Sequence, residues 1–282
     1  MAVIRADLHA HTNASDGVDS PASVARMAAE AGLDALAITD HDTMAGVEEA
    51  VREGKRLGLL VLPGIELSAS EDGIDIHVLG YGMDADDPLW RERLLLQGSA
   101  RTRRNERMVE RLQALGIELT LEEAMEAARA AGAEPASLGR PHLASVLVAK
   151  GAAASIRDAF DRYLGEGAPG YAALPRIAPE EAVEWIIEAG GVPVLAHPGL
   201  YGRDDIVKRL ASGGRLAGIE TSHPSHDERQ EQRYAAIADR FGLFATGGSD
   251  YHGNRGGEQR HSAVGAKTAD AAPLLERLAA RL

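Results

Sequence analysis

The chain has 282 residues, 45% of them hydrophobic, and a formal net charge of −13 at pH 7. This size and apolar content predict one large α/β domain, alone or carrying an insertion. The acidic charge disfavours a long nucleic-acid surface, which would have to neutralise many phosphates. Cysteine is absent, which excludes disulfides, thiolate metal sites and a catalytic thiol. Any metal must therefore be held by nitrogen and oxygen ligands.

The sequence shows no targeting or membrane-spanning pattern. No apolar core followed by a cleavage site opens the chain, and no apolar run approaches the roughly 18 residues of a membrane span. We therefore expect a cytoplasmic protein with no membrane partner.

Strand-like and helix-like segments alternate along the chain. Apolar runs predict strands at 3–8, 35–39, 59–62 and 74–79, and again near 192–196, 216–220 and 243–246. Helical spacing of apolar residues marks 24–31 and 47–57. This alternation predicts an α/β fold with a parallel sheet, closed or open. Residues 85–170 show successive helical patterns instead, so we expect a helical insertion between the α/β segments 1–84 and 171–282.

Metal-ligand residues follow these apolar runs. In the first motif, His9 and His11 are two residues apart, so in a strand both imidazoles would point to the same face. Carboxyl ends of parallel strands gather at one face of an α/β fold, so motifs far apart in sequence are expected to meet there. The alternative for any one histidine is an ordinary core or surface role. The repeated placement of such motifs favours a metal site with several ions.

The full set of motifs resembles one family. These are Asp7-Leu8-His9-Ala10-His11-Thr12, Ser15-Asp16-Gly17, Thr39-Asp40-His41-Asp42, Pro63-Gly64-Ile65-Glu66, an isolated His77, Ala196-His197-Pro198 and Gly248-Ser249-Asp250-Tyr251-His252. Together they resemble the polymerase and histidinol phosphatase (PHP) family of metal-dependent phosphoesterases. The resemblance implies a distorted (β/α)7 barrel with two or three metal ions.

The resemblance also implies which residues bind which ion. His9, His11, Glu66 and Asp250 would hold the first, and Glu66 would bridge to a second held by His77 and His197. Asp16, His41 and His252 would hold a third. The oxygen ligand at Asp16 favours manganese or magnesium over zinc, and manganese is our expectation, with iron, zinc and magnesium as alternatives.

Within the family, the length and position of the insertion resemble the branch of nucleoside 3',5'-bisphosphate phosphatases, whose relatives also trim RNA from the 5' end. The expected activity is hydrolysis of the 3'-phosphate by a metal-bridged hydroxide, giving a nucleoside 5'-monophosphate. The substrate partner would be a small nucleotide, or the end of a short oligonucleotide.

Several residues are candidates for binding the substrate. The insertion carries an arginine-rich segment, Ala100-Arg101-Thr102-Arg103-Arg104-Asn105-Glu106-Arg107. Ser99 could cap a helix that starts there, so that backbone N–H groups and the segment's side chains meet a phosphate. A solvated helix face paired with glutamates is the alternative. The proposed substrate contacts are Asp42, Thr102, Arg103, Arg104, Asn105, Arg140 and His226. Arg140, in the turn before Pro141, could instead serve the helix cap.

Two residues are candidates for catalysis. Asp250 would orient the nucleophile or accept its proton. His223, after the strand ending near Glu220, would be the general acid for the leaving oxygen. A structural role in the loop is the alternative for His223, and His261 is expected at the surface.

Three other functions remain open from the sequence. An amidohydrolase-like C–N hydrolase shares the His-x-His opening, but no strand-end lysine is placed to form a bridging carbamate. A non-catalytic metal-binding module would not require the full ligand set. A histidinol phosphatase would leave the arginine cluster without a purpose, because its substrate has no second phosphate.

Overall fold

The computed structural model describes residues 3–130, 138–173, 176–255, 258–259 and 262–280. Its residues form two compact units, Met1–Glu92 with Ile177–Leu282, and Arg93–Arg176. The sequence predicted an insertion at 85–170, and the compact unit spans Arg93–Arg176. A separate insertion that contributes to the substrate pocket stays a prediction. None of the helices in the described ranges is both long and apolar enough to cross a membrane.

The first unit contains one eight-stranded sheet, in the order β10-β1-β2-β3-β4-β5-β6-β7. Its strands are β1 Arg5–Asp7, β2 Ala35–Ile38, β3 Leu60–Glu71, β4 Ile74–Tyr81, β5 Val192–Leu195, β6 Gly218–Ser222, β7 Phe244–Gly247 and β10 Ala269–Asp270. The short strands β8 Asn254–Arg255 and β9 Glu258–Gln259 pair with each other. Beyond β1, the Leu8 N–H donates to Gly247 O at 3.1 Å. This bond joins the segment after β1, near one edge of the sheet, to β7 at the opposite edge, so the sheet forms a nearly closed barrel.

Helices lie between the strands of this unit. They are α1 Pro21–Glu30, α2 Val47–Leu57, α7 Pro179–Glu188, α8 Asp204–Ser212, α9 Glu228–Arg240 and α10 Ala272–Ala279. Strand β2 is buried at all four positions, with Ala35 and Ala37 in one apolar cluster and Leu36 and Ile38 in another, formed with α1 and α2. Burial on both faces explains why such strands read as continuous apolar runs. The mixed α/β barrel confirms the predicted fold class.

The expectation of a wholly parallel sheet is wrong. Strand β4 follows β3 after only Asp72 and Gly73, both in the left-handed region, and the two strands pair antiparallel. A parallel pair needs a crossover of a dozen or more residues, which two residues cannot supply. The β4–β5 and β1–β10 pairs are also antiparallel. Strand β3 extends to Glu71, well past the predicted end at 62, so Glu66 lies inside a strand.

The regular secondary structure of the second unit, within its described residues, consists of helices joined by turns and loops. Helix α3, Pro88–Ala114, begins in the first unit and continues here, followed by α4 Leu121–Ala130, α5 Arg140–Ala149, α6 Ile156–Ala159 and a π-helical turn Phe160–Leu164. These helices share a separate apolar core that includes Met108, Leu112 and Leu147. The helical character predicted for this stretch is seen in the structure.

Gly54 of α2 lies against β3 so closely that it offers a test of the packing. A methyl group there would lie 2.5 Å from Val61 Cγ2 and 2.9 Å from Leu59 O. We expect Gly54→Ala to lower the free energy of unfolding by about 1–3 kcal/mol, as overpacked cores do. At Gly213, which follows α8, a methyl group would meet nothing closer than 3.4 Å. Gly213→Ala should be neutral, or stabilising by up to about 1 kcal/mol. Denaturant unfolding followed by circular dichroism compares the two, and equal stability would contradict the close contact.

Candidate metal centre

The predicted ligands converge where β1 and β7 meet. Past the ends of these strands the two segments remain hydrogen-bonded, with the Asp250 N–H donating to His9 O at 2.9 Å and the His11 N–H to Tyr251 O at 2.8 Å. This pairing brings the first and last motifs of the chain together. His9 and His11 are fully buried, and Asp250 is 9% exposed.

Four ligand atoms form a compact first group. His9 Nε2 lies 3.1 Å from His11 Nε2, 3.4 Å from Glu66 Oε2 and 3.3 Å from Asp250 Oδ1. His11 Nε2 lies 3.2 Å from both carboxylate atoms. Donors about 2.0–2.2 Å from one ion stand about 2.8–3.6 Å apart in tetrahedral or octahedral arrangements. The spacing therefore fits a divalent ion within this group.

Orphaned polar atoms support the same conclusion. Glu66 Oε2 and His41 Nδ1 are buried, and neither has a hydrogen-bond partner among the described residues, although they lie 3.1 Å apart. Unsatisfied buried polar atoms are costly and uncommon. A cation that both atoms ligate would remove this cost, so the donor set fits a metal.

The second group uses the other oxygen of Glu66. His77 Nδ1 and His197 Nε2 lie 2.8 and 2.9 Å from Glu66 Oε1, and 3.3 Å from each other. The antiparallel pairing explains this contact, because Ser68 is opposite His77 and shares its strand face with Glu66. His41 also joins Glu66 and His77 in a group of possible ligands. The sequence had assigned His41 to the third ion alone.

The third group is more open than the others. His11, Asp16, His41 and His252 have ligand atoms within 4.8 Å of one another. His252 Nε2 lies 3.3 Å from Asp16 Oδ1, whereas His41 Nε2 lies 3.9 Å from Asp16 Oδ2. The Asp16 side chain is 23% exposed. The structure thus brings together all nine residues predicted as metal ligands, and their assignment to individual ions stays a prediction.

Burial and charge set the protonation of this cluster. Burial lowers the pKa of His41 to about 3, against the opposing charges of Glu66 and Asp16, which leaves the neutral imidazole that ligates metals. Burial would raise the pKa of Glu66, but the surrounding imidazoles, His77 first, bring it well below the usual range. The same balance, with His9 as the largest charge, lowers the pKa of Asp250. Both carboxylates are therefore ionised and able to bind a cation.

Two aspartates of the site adopt the left-handed backbone region. Asp42 has φ of 55° and Asp250 has φ of 49°, a conformation that aspartate adopts more readily than most residues. Asp42 Oδ1 accepts the Ser68 N–H at 2.8 Å, and Asp42 N–H donates to Glu66 O. Asp42 thus holds the strand that carries Glu66. Its predicted contact with the substrate stays a prediction.

His223 lies beside Asp250, but its bonding argues against a general acid. Its Nδ1 accepts the Ser225 N–H at 3.0 Å, so the ring proton is on Nε2, 3.3 Å from Asp250 Oδ2. An acid would need protons on both nitrogens, and a proton on Nδ1 would face the Ser225 N–H. The Nε2–H of His223 instead donates a hydrogen bond that orients Asp250.

His226 also differs from its predicted role. Its Nδ1 donates to Thr221 O at 2.9 Å, and its Nε2 accepts the Gly199 N–H at 3.0 Å. Backbone groups therefore engage both ring nitrogens, which argues against a substrate contact. His261 lies outside the described residues.

The arginine-rich segment is inside a helix and does not begin one. Helix α3 starts at Pro88, and Ser99 Oγ donates to Leu96 O within it, so the predicted cap at Ser99 is wrong. The helical patterns predicted over 85–170 did not mark where this helix begins. The backbone N–H groups of the segment are therefore not available as an anion site.

The predicted substrate contacts that belong to the second unit differ in how exposed their side chains are. Thr102 and Arg103 are exposed, and Thr102 Oγ1 donates to Gly98 O. Arg104 is buried and donates to Asn105 Oδ1 at 2.9 Å, while the Asn105 amide donates to Leu138 O at 2.7 Å. Arg140 lies over the rings of Phe160 and Tyr171, at 5.8 and 5.9 Å. Their contacts with a substrate stay predictions.

Two buried carboxylates near the ligands had been given no role. Asp40 accepts the Thr12 N–H and the hydroxyls of Thr12 and Ser15 at 2.6–2.8 Å, and so fixes the loop before Asp16. Glu220 accepts the Nδ1 proton of His9. Asp40 stands within a motif that the sequence marked, and Glu220 ends a predicted strand. The group that a carboxylate contacts cannot be deduced from either position.

Glu66 faces two ligand groups, so its replacement should weaken metal binding. With free Mn²⁺ at about 100 times its dissociation constant, binding stabilises a native protein by about 2.7 kcal/mol. We expect the wild-type protein to gain several degrees in unfolding midpoint on addition of Mn²⁺, and Glu66→Gln to lose most of that gain. Glu48→Gln removes the same charge from a side chain that is 92% exposed and should retain the gain. A full gain in Glu66→Gln would contradict the arrangement.

Comparison with known proteins places this centre in a family. The PHP domain model matches residues 7–164, which is more than half of the chain. The 3',5'-nucleoside bisphosphate phosphatase of Chromobacterium violaceum is 38% identical over 253 residues, covering 87% of this chain and 86% of the relative. The phosphoribosyl 1,2-cyclic phosphate 1,2-diphosphodiesterase of Eggerthella lenta is 37% identical, covering 89% and 95%. The 5'-3' exoribonuclease Rnm of Escherichia coli K12 is 36% identical, covering 87% and 84%.

Solved structures agree in fold. A provisionally assigned metal-dependent phosphoesterase from Bifidobacterium adolescentis has a TM-score of 0.84 at 32% identity, covering 97% of this chain and 95% of its own. A protein of Chromobacterium violaceum, described as an amidohydrolase with bound sulfate and no metal, also has a TM-score of 0.84, at 34% identity and with 98% and 96% covered. The family match and the phosphatase and phosphodiesterase relatives show that the chain belongs to the PHP domain family and is a phosphoric ester hydrolase, and its candidate ligand groups fit divalent metal ions.

Proposed function

We propose that this protein hydrolyses the 3'-phosphate of nucleoside 3',5'-bisphosphates and releases nucleoside 5'-monophosphates. The observation that carries the proposal is the position of Glu66, whose two oxygens face adjacent ligand groups. Two ions held in adjacent groups would both be able to coordinate oxygens of one phosphate, as in the two-metal sites of phosphatases and nucleases. The shared carboxylate therefore supports hydrolysis at phosphorus.

Manganese is the ion that we propose for these groups. Their ligands are imidazoles and carboxylates, a set that manganese accepts, and Asp16 adds an oxygen ligand to the third group. Bound divalent ions lower the pKa of water towards about 7 in favourable sites and neutralise charge on phosphate oxygens.

The chain's own residues would orient the reaction. Asp250 has Oδ1 in the first group and Oδ2 towards His223, so it is fixed at both oxygens. We assign Asp250 the orientation of the attacking water and acceptance of its proton. The water oxygen bonds to phosphorus as the bond to the 3' oxygen breaks, and the proton that Asp250 accepted from the water passes, directly or through solvent, to the leaving alkoxide. His223 holds its Nε2 proton towards Asp250 and supplies a hydrogen bond there.

The choice of a bisphosphate rests on the relatives and on the second unit. The Chromobacterium violaceum relative is named for this substrate, and the bound sulfate of the structural neighbour has the tetrahedral shape of phosphate. Buried Arg104, held by Asn105, offers a fixed guanidinium of the kind that binds phosphate by paired hydrogen bonds. We assign it to the distal 5'-phosphate, with Arg140, Thr102 and Arg103 as further contacts.

Phosphate release from adenosine 3',5'-bisphosphate, with Mn²⁺ added, tests the proposal. Parallel assays use 3'-AMP, 5'-AMP and a short 5'-phosphorylated RNA. We expect preference for the bisphosphate, with 5'-AMP as the product. Stepwise release of mononucleotides from the RNA would instead identify a 5'-3' exonuclease. Phosphate release from 3'-AMP as fast as from the bisphosphate would show that the distal phosphate is not recognised.

The role of Arg104 gives a separate prediction. Arg104→Ala should lower kcat/KM for the bisphosphate by about 10–10²-fold, because a hydrogen bond to a charged group contributes about 1.5–3 kcal/mol. Hydrolysis of a simple aryl phosphate, which has no second phosphate, should change far less.

Arg107→Ala is the matched control, since Arg107 lies on the same helix and is exposed. It should retain the wild-type kcat/KM for both substrates. If Arg104→Ala loses equal factors on the bisphosphate and on the aryl phosphate, Arg104 does not recognise the distal phosphate.

A further inference from the structure

Glu220 is a buried carboxylate next to the metal ligands but outside the three ligand groups. It is 1% exposed and lies in β6, whose pairing with β5 places it beside the end of that strand. It does not ligate in any of the groups formed by the described residues. A carboxylate so deeply buried needs hydrogen-bond donors, and its partners indicate what it does.

The first partner of Glu220 is the ring of His9. His9 Nδ1 lies 3.1 Å from both Oε1 and Oε2, and His9 Nε2 faces the first ligand group. A proton on Nδ1 leaves Nε2 with the lone pair that an ion requires. Glu220 therefore selects the tautomer and orientation in which His9 can ligate.

The second partner is the backbone of His197. The His197 N–H donates to Glu220 Oε2 at 2.8 Å, and the His197 ring presents Nε2 to Glu66 in the second group. This bond fixes the backbone from which the His197 ring projects, just after β5. One carboxylate is thus bonded to ligands of two different groups.

We propose that Glu220 is a positioning residue that couples the first two metal sites through His9 and His197. Two donors face its carboxylate, and only a group that accepts from both can satisfy them. Glutamine with its oxygen in the place of Oε2 could still accept from the His197 N–H, but its amide N–H groups in the place of Oε1 would lie about 3.1 Å from the protonated His9 Nδ1. The position of at least one of the two histidines, His9 or His197, would change. Because both contact Oε2, the change would also affect the other histidine.

The experiment measures metal binding directly. Equilibrium dialysis of the Asp16→Ala protein against a series of free Mn²⁺ concentrations, with metal content determined by mass spectrometry, isolates the two sites that do not depend on Asp16. We expect Glu220→Gln in this background to raise both dissociation constants by about 10–100-fold, as loss of such outer partners does. Unchanged binding of both ions would overturn the proposal. Weakening of one ion alone would overturn the coupling.

Two comparisons separate positioning from general damage. Glu48→Gln in the same background loses an equal charge at an exposed position and should bind Mn²⁺ with unchanged dissociation constants. In otherwise wild-type protein, raising free Mn²⁺ should restore the kcat of Glu220→Gln, because the ligands themselves are intact. A kcat that stays low with both ions bound would contradict a role in positioning the ions.

Circular dichroism of the metal-free protein establishes whether Glu220→Gln folds. If it does not, Glu220→Asp replaces it, since aspartate retains the charge but is one methylene too short to reach both partners. The same weakening of two ions then supports the proposal, and wild-type dissociation constants in the aspartate variant overturn it.

Discussion

The attraction between buried carboxylates and a cluster of imidazoles governs the arrangement of this molecule. Glu66 lies within that cluster, with imidazole nitrogens 2.8–3.4 Å from its two oxygens. Ions of both signs cannot be buried at low cost unless they compensate each other. The barrel supplies that compensation by directing side chains from most of its strands to one place.

The antiparallel hairpin β3–β4 holds two of these compensating side chains, Glu66 and His77, in fixed positions. A ligand on a loop can move by loop rearrangement, whereas Glu66 and His77 lie within paired strands and are fixed by the register of the ladder. Around them, Asp40, Asp42 and Glu220 accept backbone N–H groups of the segments that carry other ligands. The ligands are therefore held by surrounding carboxylates that bond to their backbone segments and, for Glu220, to the His9 ring nitrogen that faces away from the first group. This support reduces the reorganisation needed on binding an ion.

Sequence reasoning predicted most of the strands and named the candidate metal ligands that the fold brings together, because both carry local signals. Apolar runs mark strands such as β2 and β5, and short motifs mark ligands such as His9 and His11. The antiparallel direction of β4 was missed, because an apolar run does not show which way a strand runs. The hydrogen-bond partners of His223 and His226 were also inaccessible, since they depend on backbone atoms of the folded loop and of Gly199. Periodicity gave the helical character of 88–114, but the arginine motif led to a false helix start at Ser99.

The bond between Leu8 and Gly247, which links the first and seventh strands, has a consequence for biosynthesis. His9 and Asp250 belong to one ligand group but are separated by almost the whole chain, so the group has a very long loop to close. Contacts of such sequence separation form slowly and late. During synthesis, the residues of the second unit emerge from the ribosome before the final strands do. The first ligand group cannot form until Asp250, which follows β7, has been made. Newly made chains should therefore acquire their metal after translation and not during it.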